Sequence, residues 1–438
     1  MLISLVYCNK IKVDTKKLHS LFTSSSGVSI DSRKISNDQI FFSLKGENFD
    51  GNKFALEAIK NGAKFSIVDC EEYKNINDQI IYVKDCLKAL QDLSNYHRSL
   101  FDTKLIGVTG SNGKTTTKNL IYSVLNQKYK VIKTVGNLNN HIGVPISLLN
   151  IKEDVDIAII EMGANHVGEI ETLCKIAMPD IGLITNYGLA HLEGFGGFEG
   201  VIKGKTEMFD YLSQNYGHII LNNDDVLQVE NCKGDLAITF GENVDSEFVF
   251  NYKKVNDVLQ IENEGFKYKC NIYGDYNFSN IATSITIGKF LEMSNYDIQL
   301  GLDSFENDSN RSQIIKYATN KIYLDAYNAN PTSMKAAILN FENSIKENKI
   351  LVLGDMFELG SFSNREHQDI INYIENKDYI KVYLVGVNFY ECITSKKKFE
   401  KYRSTKDMSN TVRLKDFKSM NILIKGSRVI GLEALISV

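Results

Sequence analysis

The run Gly107-Val108-Thr109-Gly110-Ser111-Asn112-Gly113-Lys114-Thr115-Thr116-Thr117 holds the residue types that bind phosphate. Small residues let successive backbone N–H groups converge on anionic oxygens, and a helix starting at the end of the loop adds its positive pole. In such a cradle Gly110, Ser111, Asn112, Gly113 and Thr116 line the loop. Lys114 then reaches the terminal phosphates of a nucleoside triphosphate, and the Thr115 hydroxyl ligates Mg2+. The strict phosphate-loop pattern needs a glycine where Val108 stands, so this loop is the variant T-G-S-N-G-K-T. A glycine-rich turn without ligand is the alternative; the Lys-Thr pair between a strand and a helix favours nucleotide.

Further chemistry sits at two strand ends. Asp156-Ile157-Ala158-Ile159-Ile160 is a continuous apolar run that ends in Glu161. Carboxyl ends of parallel strands line the ligand crevice, so Glu161 is a candidate Mg2+ carboxylate, against the alternative of a solvated strand end. Ile181-Gly182-Leu183-Ile184-Thr185-Asn186 leads into a glycine-rich loop with His191, where a neutral imidazole could ligate a metal or meet phosphate. Beyond it, Val201, Lys205, Met208, Phe209 and Leu212 recur on one helical face, which places a lysine inside an apolar stripe. Two readings of Lys205 stay open. Its stem packs while its head reaches water, or the amine is partly buried with a lowered pKa and open to carbamate formation with CO2.

These residues need a scaffold that presents strand ends and helix starts together. Short apolar runs alternate with helix-period segments for most of the chain, the pattern of α/β domains with parallel sheets. At 438 residues the expectation is about three domains. Residues 1–100 hold short strands and one clear helix, Phe54 to Asn61. Residues 101–308 carry the loop, with a small β insertion over 247–273. The polar Glu306-Asn307-Asp308-Ser309-Asn310 stretch is a linker. Residues 309–438, with strands at 321–325, 350–354, 380–385 and 421–425, form a second doubly wound, Rossmann-like domain.

Composition excludes several classes. Fifty Lys and Arg against 54 Asp and Glu give a net charge of −4, too little positive charge for a nucleic-acid binder. The longest apolar runs fall far short of the roughly 18 residues of a membrane span. Met1 to Cys8 reads as a buried first strand rather than a signal peptide. Seven scattered cysteines without a C-x-x-C pair favour reduced thiols, and with them a cytoplasmic location, over a disulfide frame or zinc site.

The phosphate loop, the segment Gly136-Asn137-Leu138-Asn139-Asn140-His141-Ile142-Gly143-Val144-Pro145 and Glu161-Met162-Gly163-Ala164 together resemble the Mur ligases, ATP-dependent amide-bond ligases of peptidoglycan precursor synthesis. Asp325-Ala326-Tyr327-Asn328-Ala329-Asn330-Pro331-Thr332-Ser333-Met334, Leu353-Gly354-Asp355-Met356-Phe357-Glu358-Leu359-Gly360 and Lys425-Gly426-Ser427-Arg428 are similar to blocks of the member that joins D-alanyl-D-alanine to UDP-N-acetylmuramoyl-tripeptide. The early Asp31-Ser32-Arg33 and Asp50-Gly51 fit the same order. The resemblance runs from about residue 29 to the C-terminus.

It implies an N-terminal domain holding the uridine nucleotide, a central ATPase domain and a Rossmann-like C-terminal domain that closes over ATP. By the same resemblance Lys114 and Thr115 hold phosphate and Mg2+. Glu161 and His191 are metal ligands for two Mg2+ ions, and Lys205 is the lysine that is carbamylated. Asn277 and Asn280 lie on the adenine side. Arg311 and Asp325 contact nucleotide, and Tyr327, Asn328 and Asn330 line the substrate side. Asn137, Asn139 and Asn140 face the nascent amide, while Ser32, Arg33, Lys45 and Gly46 fall where the uridine nucleotide is held. The sequence departs at Tyr276, where the family has His, and at Thr206, where it has a small residue. A monomer acting on small molecules, with no nucleic-acid partner, is expected. The alternatives are another Mur-type or folylpolyglutamate synthetase-like ligase, or a nucleotide-dependent switch that forms no bond.

Overall fold

Parallel strands buried on both faces account for the short, unbroken apolar runs. The structure, a computed structural model, describes residues 14–74, 76–255, 258–307 and 311–436. The expected first strand at Met1 to Cys8, and Asp308, Ser309 and Asn310 of the expected linker, lie outside the described residues. The chain divides into two compact units: one takes the chain up to Leu105 with Ile132–Ile160 and Thr172–Met178, the other takes Ile106–Val131, Glu161–Glu171 and the chain from Pro179 on.

The first unit contains a four-stranded parallel sheet in the order Val28–Ser29, Ile40–Phe42, Phe65–Val68, Ile80–Tyr82. Ile40, Phe42 and Ile67 bury one face against Leu90 and Leu93 of the helix Cys86–Arg98. That helix, and Thr15–Thr23 before it, add to the single helix expected from sequence. Cys86, Leu90, Leu93 and His97 recur at helical spacing on the buried face of Cys86–Arg98, a signal the sequence reading did not use, and Asp85 fixes its start by accepting from Lys88 N. The expected helix at 54–61 is a 3-10 turn, Gly51–Phe54, running into Ala55–Lys60. Residues 132–160 join this unit because Ile142, Ile146 and Leu149 pack on the same core, and Gln91 Nε2 donates to His141 O at 3.1 Å.

In the second unit, parallel strands run in the order Phe248–Val249, Ala237–Gly241, His218–Asn222, Ile181–Ile184, Lys104–Thr109. Ile106 through Thr109 pair with Ile181 through Ile184, so two strands end side by side at Thr109 and Ile184. Met162 N donates to Val108 O at 2.8 Å, which brings the end of the Glu161 strand to the same edge. The β insertion is a three-stranded antiparallel sheet, Asn251–Val255, Val258–Asn263 and Phe266–Cys270. The C-terminal sheet has six strands in the order Gln313–Tyr317, Asn320–Asp325, Asn421–Lys425, Lys349–Gly354, Lys381–Val385, Phe399–Tyr402. All its pairings are parallel except the first, an added antiparallel edge strand. Its interior is Ile322, Leu324, Ile350, Val352, Ile422 and Ile424.

Candidate active site

The phosphate loop leaves the strand at Thr109 and enters the helix Lys114–Leu125. Gly110 and Gly113 take positive φ, +134° and +82°. A Cβ at Gly110 would stand 2.0 Å from Thr185 Oγ1, so both backbone conformation and space demand glycine there. The N–H groups of the helix's first turn have no intrahelical acceptor and point where an anion would lie. Lys114 Nζ arches back over the loop and donates to Gly110 O at 2.7 Å.

Residues that sequence reasoning did not single out hold this loop in shape. Asn112 N donates to Asn186 Oδ1 at 3.1 Å, and Thr185 Oγ1 donates to Asn112 O at 2.5 Å. Ser111 Oγ bridges both backbone groups of Gly188, at 3.0 and 2.9 Å. The adjacency of the strand ends, rather than any local pattern, creates these bonds. Asn112 Nδ2 is a buried donor without a hydrogen-bond partner among the described residues, which fits a loop built to meet acceptor oxygens.

Asn277 and Asn280 brace the loop from behind. Asn277 Nδ2 donates to Tyr273 O, Asn280 Nδ2 donates to Asn277 Oδ1, and Thr117 Oγ1 donates to Asn280 Oδ1, at 2.8, 2.8 and 2.9 Å. Both amides are buried, and Asn280 Oδ1 lies 2.8 Å from where a Gly113 Cβ would be. The two departures from the family pattern also have partners. Tyr276 Oη meets Ser312 Oγ at 2.9 Å, and Thr206 Oγ1 meets Tyr187 Oη at 2.8 Å.

Glu161 ends its strand only 2 % exposed. Lys118 Nζ lies 3.1 Å from Glu161 Oε2, a buried pair that the sequence reading missed. Its signal was present: Lys118 follows Lys114 by one helical turn and so shares its face.

Lys205 lies on the helix Phe198–Gln214 with Val201, Met208, Phe209 and Leu212, all buried. It is 1 % exposed, donates from Nζ to Ala164 O at 3.1 Å, and stands 4.9 Å above the Phe195 ring. The head does not reach water, so of the two readings the buried amine holds. Burial, helped by the Lys114 charge, keeps the Lys205 pKa well below the ordinary lysine range, while Glu169 and Glu207 oppose the shift. Burial also lowers the Lys114 pKa, with Glu161 opposing and Arg311 adding to the effect. Lys114, Glu161, Lys205 and Arg311 therefore belong to one electrostatic neighbourhood.

His191 takes a left-handed backbone, φ +54°, before the short helix Leu192–Phe195. Its Nδ1 stands 2.5 Å from Glu358 Oε2. The His191 partner holds the Glu358 carboxyl below its usual range, against burial.

The C-terminal sheet brings its own groups to the loop. Asn330 caps the helix Pro331–Ser344 through Ser333 N and donates from Nδ2 to Asn112 Oδ1 at 2.7 Å. Leu189 N donates to Thr332 Oγ1 at 2.9 Å. Arg311 stacks on Tyr327, its Cζ 3.7 Å from the ring centre, with Arg428 at 5.3 Å. Asp325 Oδ2 takes Lys425 Nζ at 2.5 Å, and Asn328 Oδ1 accepts from Ala329 N.

The remaining candidates belong to the other unit. Arg33 is tied to Asp31 by two bonds of 2.9 Å, and Lys45 Nζ lies 2.8 Å from Asp69 Oδ1. Ser32 is buried, and Gly46 is exposed in the short strand Lys45–Gly46. Asn140 Oδ1 accepts from Ile142 N and Gly143 N at 3.1 and 2.9 Å, and Asn139 N donates to Asn137 O at 2.8 Å.

Among the described residues no three His, Cys, Asp or Glu side chains gather as a complete metal cage. Mg2+ does not need one, since it takes one or two carboxylates and completes its shell with water and phosphate oxygens. The Glu161 carboxylate and Thr115 hydroxyl are oxygen donors of that kind. An ammonium at Lys205 is not, and the depressed pKa favours the uncharged amine from which a carbamate forms.

A glycine-bent strand–loop–helix facing buried lysines, closed by a second α/β sheet, defines a nucleotide-binding enzyme of the P-loop type. Three family models match the chain in order: the Mur ligase family catalytic domain at residues 24–98, the Mur ligase middle domain at 108–288, and the Mur ligase glutamate ligase domain at 310–428. The UDP-N-acetylmuramoyl-tripeptide--D-alanyl-D-alanine ligase of Bacillus subtilis is 35% identical over 430 residues, covering 94% of this chain and 92% of its own. Among solved structures, MurF from Acinetobacter baumannii superposes with a TM-score of 0.86 at 29% identity, over 97% of this chain and 98% of the other. MurF ligase from Thermotoga maritima in complex with ADP gives 0.82 at 29% identity, over 95% and 97%. The chain belongs to the Mur ligase family.

Proposed function

We propose that this chain is the ATP-dependent ligase that joins D-alanyl-D-alanine to UDP-N-acetylmuramoyl-tripeptide, giving the pentapeptide precursor of peptidoglycan. The single observation that carries the reading is the end-to-end likeness to a relative of that name, 35% identical over 94% of the chain. The loop and its lysines supply a physical route.

A carboxylate is a poor electrophile at neutral pH. Its oxygen attacks the γ-phosphorus of ATP, the bond to the β-phosphate oxygen breaks, and ADP leaves. The dipeptide amine then attacks the acyl carbon, loses a proton, and the C–O bond to phosphate breaks. Both reactants of the first step are anions, so positive charge must be waiting. Lys114 and the first-turn N–H groups neutralise the phosphates, and Arg311 adds a third source. Glu161, Thr115, His191 and a carbamylated Lys205 would hold two Mg2+ ions, which supply charge neutralisation at the transferred phosphoryl group. Asn330 and Thr332 hold the C-terminal sheet against the loop, which keeps water from the acyl phosphate.

In this reading the domains are 1–100 for the uridine nucleotide, with Ser32, Arg33, Lys45 and Gly46, 101–308 for catalysis and 309–438 for closure. Asn137, Asn139 and Asn140 face the new amide; Tyr327, Asn328 and Asp325 serve the substrate and nucleotide from the C-terminal side. The chain works as a monomer in the cytoplasm, in cell-wall synthesis and hence in cell shape and division. No helix among the described residues is long and apolar enough to cross a membrane. The test is phosphate release from ATP with purified substrates. Release that requires both the UDP-tripeptide and D-alanyl-D-alanine supports the ligase; equal release without them would mark a nucleotide switch instead.

A further inference from the structure

Tyr276 stands where the family has histidine, one residue before Asn277 of the expected adenine side. Its hydroxyl turns to another segment: Oη meets Ser312 Oγ at 2.9 Å, 36 residues along the chain and next to Arg311. Gly274 makes room for that posture. It holds φ +104°, and an added Cβ would lie 2.5 Å from Tyr276 Cε1 and Cζ, so only glycine lets the ring fold back over the turn. Burial, with the Asp325 charge adding to it, pushes the Tyr276 pKa up, so the phenol keeps its proton.

Ser312 is held at each of its polar groups. Besides the Tyr276 contact at Oγ, its N–H donates to Asp325 Oδ1 and its carbonyl accepts from Asn307 Nδ2, both at 3.4 Å. Its backbone is left-handed, φ +44°, a conformation that a non-glycine residue keeps only where its neighbours over-determine it. The turn before Tyr276 is itself fixed to the C-terminal sheet. Asp275 N donates to Asn340 Oδ1 at 3.0 Å, and the Tyr273 and Tyr323 rings pack with centres 4.8 Å apart. Fixing Ser312 fixes the direction in which Arg311 leaves the backbone, toward a guanidinium whose Cζ lies 3.7 Å from the centre of the Tyr327 ring. Its charge is felt at Lys114, the residue of the terminal phosphates.

We propose that Tyr276 is a positioning residue for Arg311: through Ser312 its hydroxyl sets the guanidinium at the phosphate end of a bound nucleotide, rather than serving the base. Tyrosine in place of histidine thus adds a link between the adenine block and the arginine. The inference rests on the ligase reading only for the presence of a nucleoside triphosphate in the crevice.

The experiment measures, by calorimetry on the full chain, the dissociation constants of a non-hydrolysable ATP analogue and of AMP. Wild type is compared with Tyr276→Phe, Ser312→Ala and Arg311→Ala, and with each of the first two combined with Arg311→Ala. Tyr276→Phe keeps the ring and loses one hydrogen bond, so the triphosphate analogue should bind about fivefold more weakly, with a loss of the same size in Ser312→Ala. AMP, which lacks the terminal phosphates, should bind both variants as it binds wild type. Arg311→Ala should weaken the triphosphate about thirtyfold. Adding Tyr276→Phe to it should weaken binding no further, because the arginine that the hydroxyl serves is gone. Unchanged triphosphate affinity in Tyr276→Phe and Ser312→Ala would overturn the proposal. So would an equal loss for AMP, which would put Tyr276 at the base, and so would losses that multiply in the double variants, which would mark a merely structural role. If Tyr276→Phe does not fold, Ser312→Ala, alone and with Arg311→Ala, decides. Failure of the ligase reading is seen separately, as wild-type phosphate release that ignores the two substrates.

Discussion

Lys205 is 1 % exposed with a second lysine as its electrostatic neighbour, whereas the Arg33 side chain is 81% exposed with both edges of its guanidinium on Asp31. The two regions use the same residue types to opposite ends. Around Arg33 the charges are already paired in water: the Asp31 carboxyl drops to about 2 because Arg33 donates to it. Around Lys205 the amine is stripped of water and the Lys114 charge adds to its depression, with Glu161 shared between Lys118 and the Lys114 charge. A surface pair is self-sufficient, and a buried cationic group calls for something that arrives from outside. The free energy withheld at the crevice is available to an anion or to a covalent change, and this is why the crevice is the better candidate for chemistry.

The largest test of that contrast is Lys114→Ala. Removing the charge that faces the phosphates should cut substrate-dependent phosphate release by about 10³-fold, measured by a coupled assay. Near-normal release would erase the distinction between the two regions.

Lys205 offers a sharper test, because activity and stability should move in opposite directions. Lys205→Met should lower turnover about 10²-fold, with partial rescue of Lys205→Ala by a short carboxylic acid that replaces the carbamate. The Met variant should also melt higher than wild type at pH 7, since it removes a buried amine that must give up its proton for the chain to fold. The sign follows from linkage. The folded pKa is depressed, so in the window between it and the ordinary value of 10.5 the unfolded chain holds the proton more tightly. Wild-type stability therefore rises with pH through that window, and the advantage of the Met variant shrinks as pH approaches 10.5. A melting-temperature series across pH reads this directly, and an advantage that grew with pH would contradict a buried, depressed amine.

The smallest effect belongs to Arg33→Ala. No change in melting temperature is expected, because the pair is exposed. If Arg33 serves the uridine nucleotide, KM for the UDP-tripeptide rises about tenfold at constant turnover number. A drop in melting temperature would mean that the surface pair holds structure after all.

Much of this contrast was legible in the chain itself. Lys205 announced itself as a cation inside an apolar stripe, and the helix Phe198–Gln214 buries that stripe as the spacing required. The strands expected at 321–325, 350–354, 380–385 and 421–425 are present within a residue of those limits, since a run buried on both faces has no other reading at that length. The roles of Thr185, Asn186, Thr332 and Glu358 have no mark in local spacing, and Lys118 has only its one-turn spacing from Lys114. Each works through a partner about 40 to 170 positions away in the chain.

The sequence by itself therefore determined the phosphate loop, the helix that follows it, the place of Lys205 in an apolar stripe and the α/β class, because each depends on periodicity and residue type within a few turns. Only the tertiary structure decided that Lys118 answers Glu161, that Asn330 reaches Asn112, that 132–160 packs with the N-terminal core, and that Glu358 meets His191. Those depend on which strand ends lie side by side, and strand order is set by packing over the whole chain rather than by any local pattern.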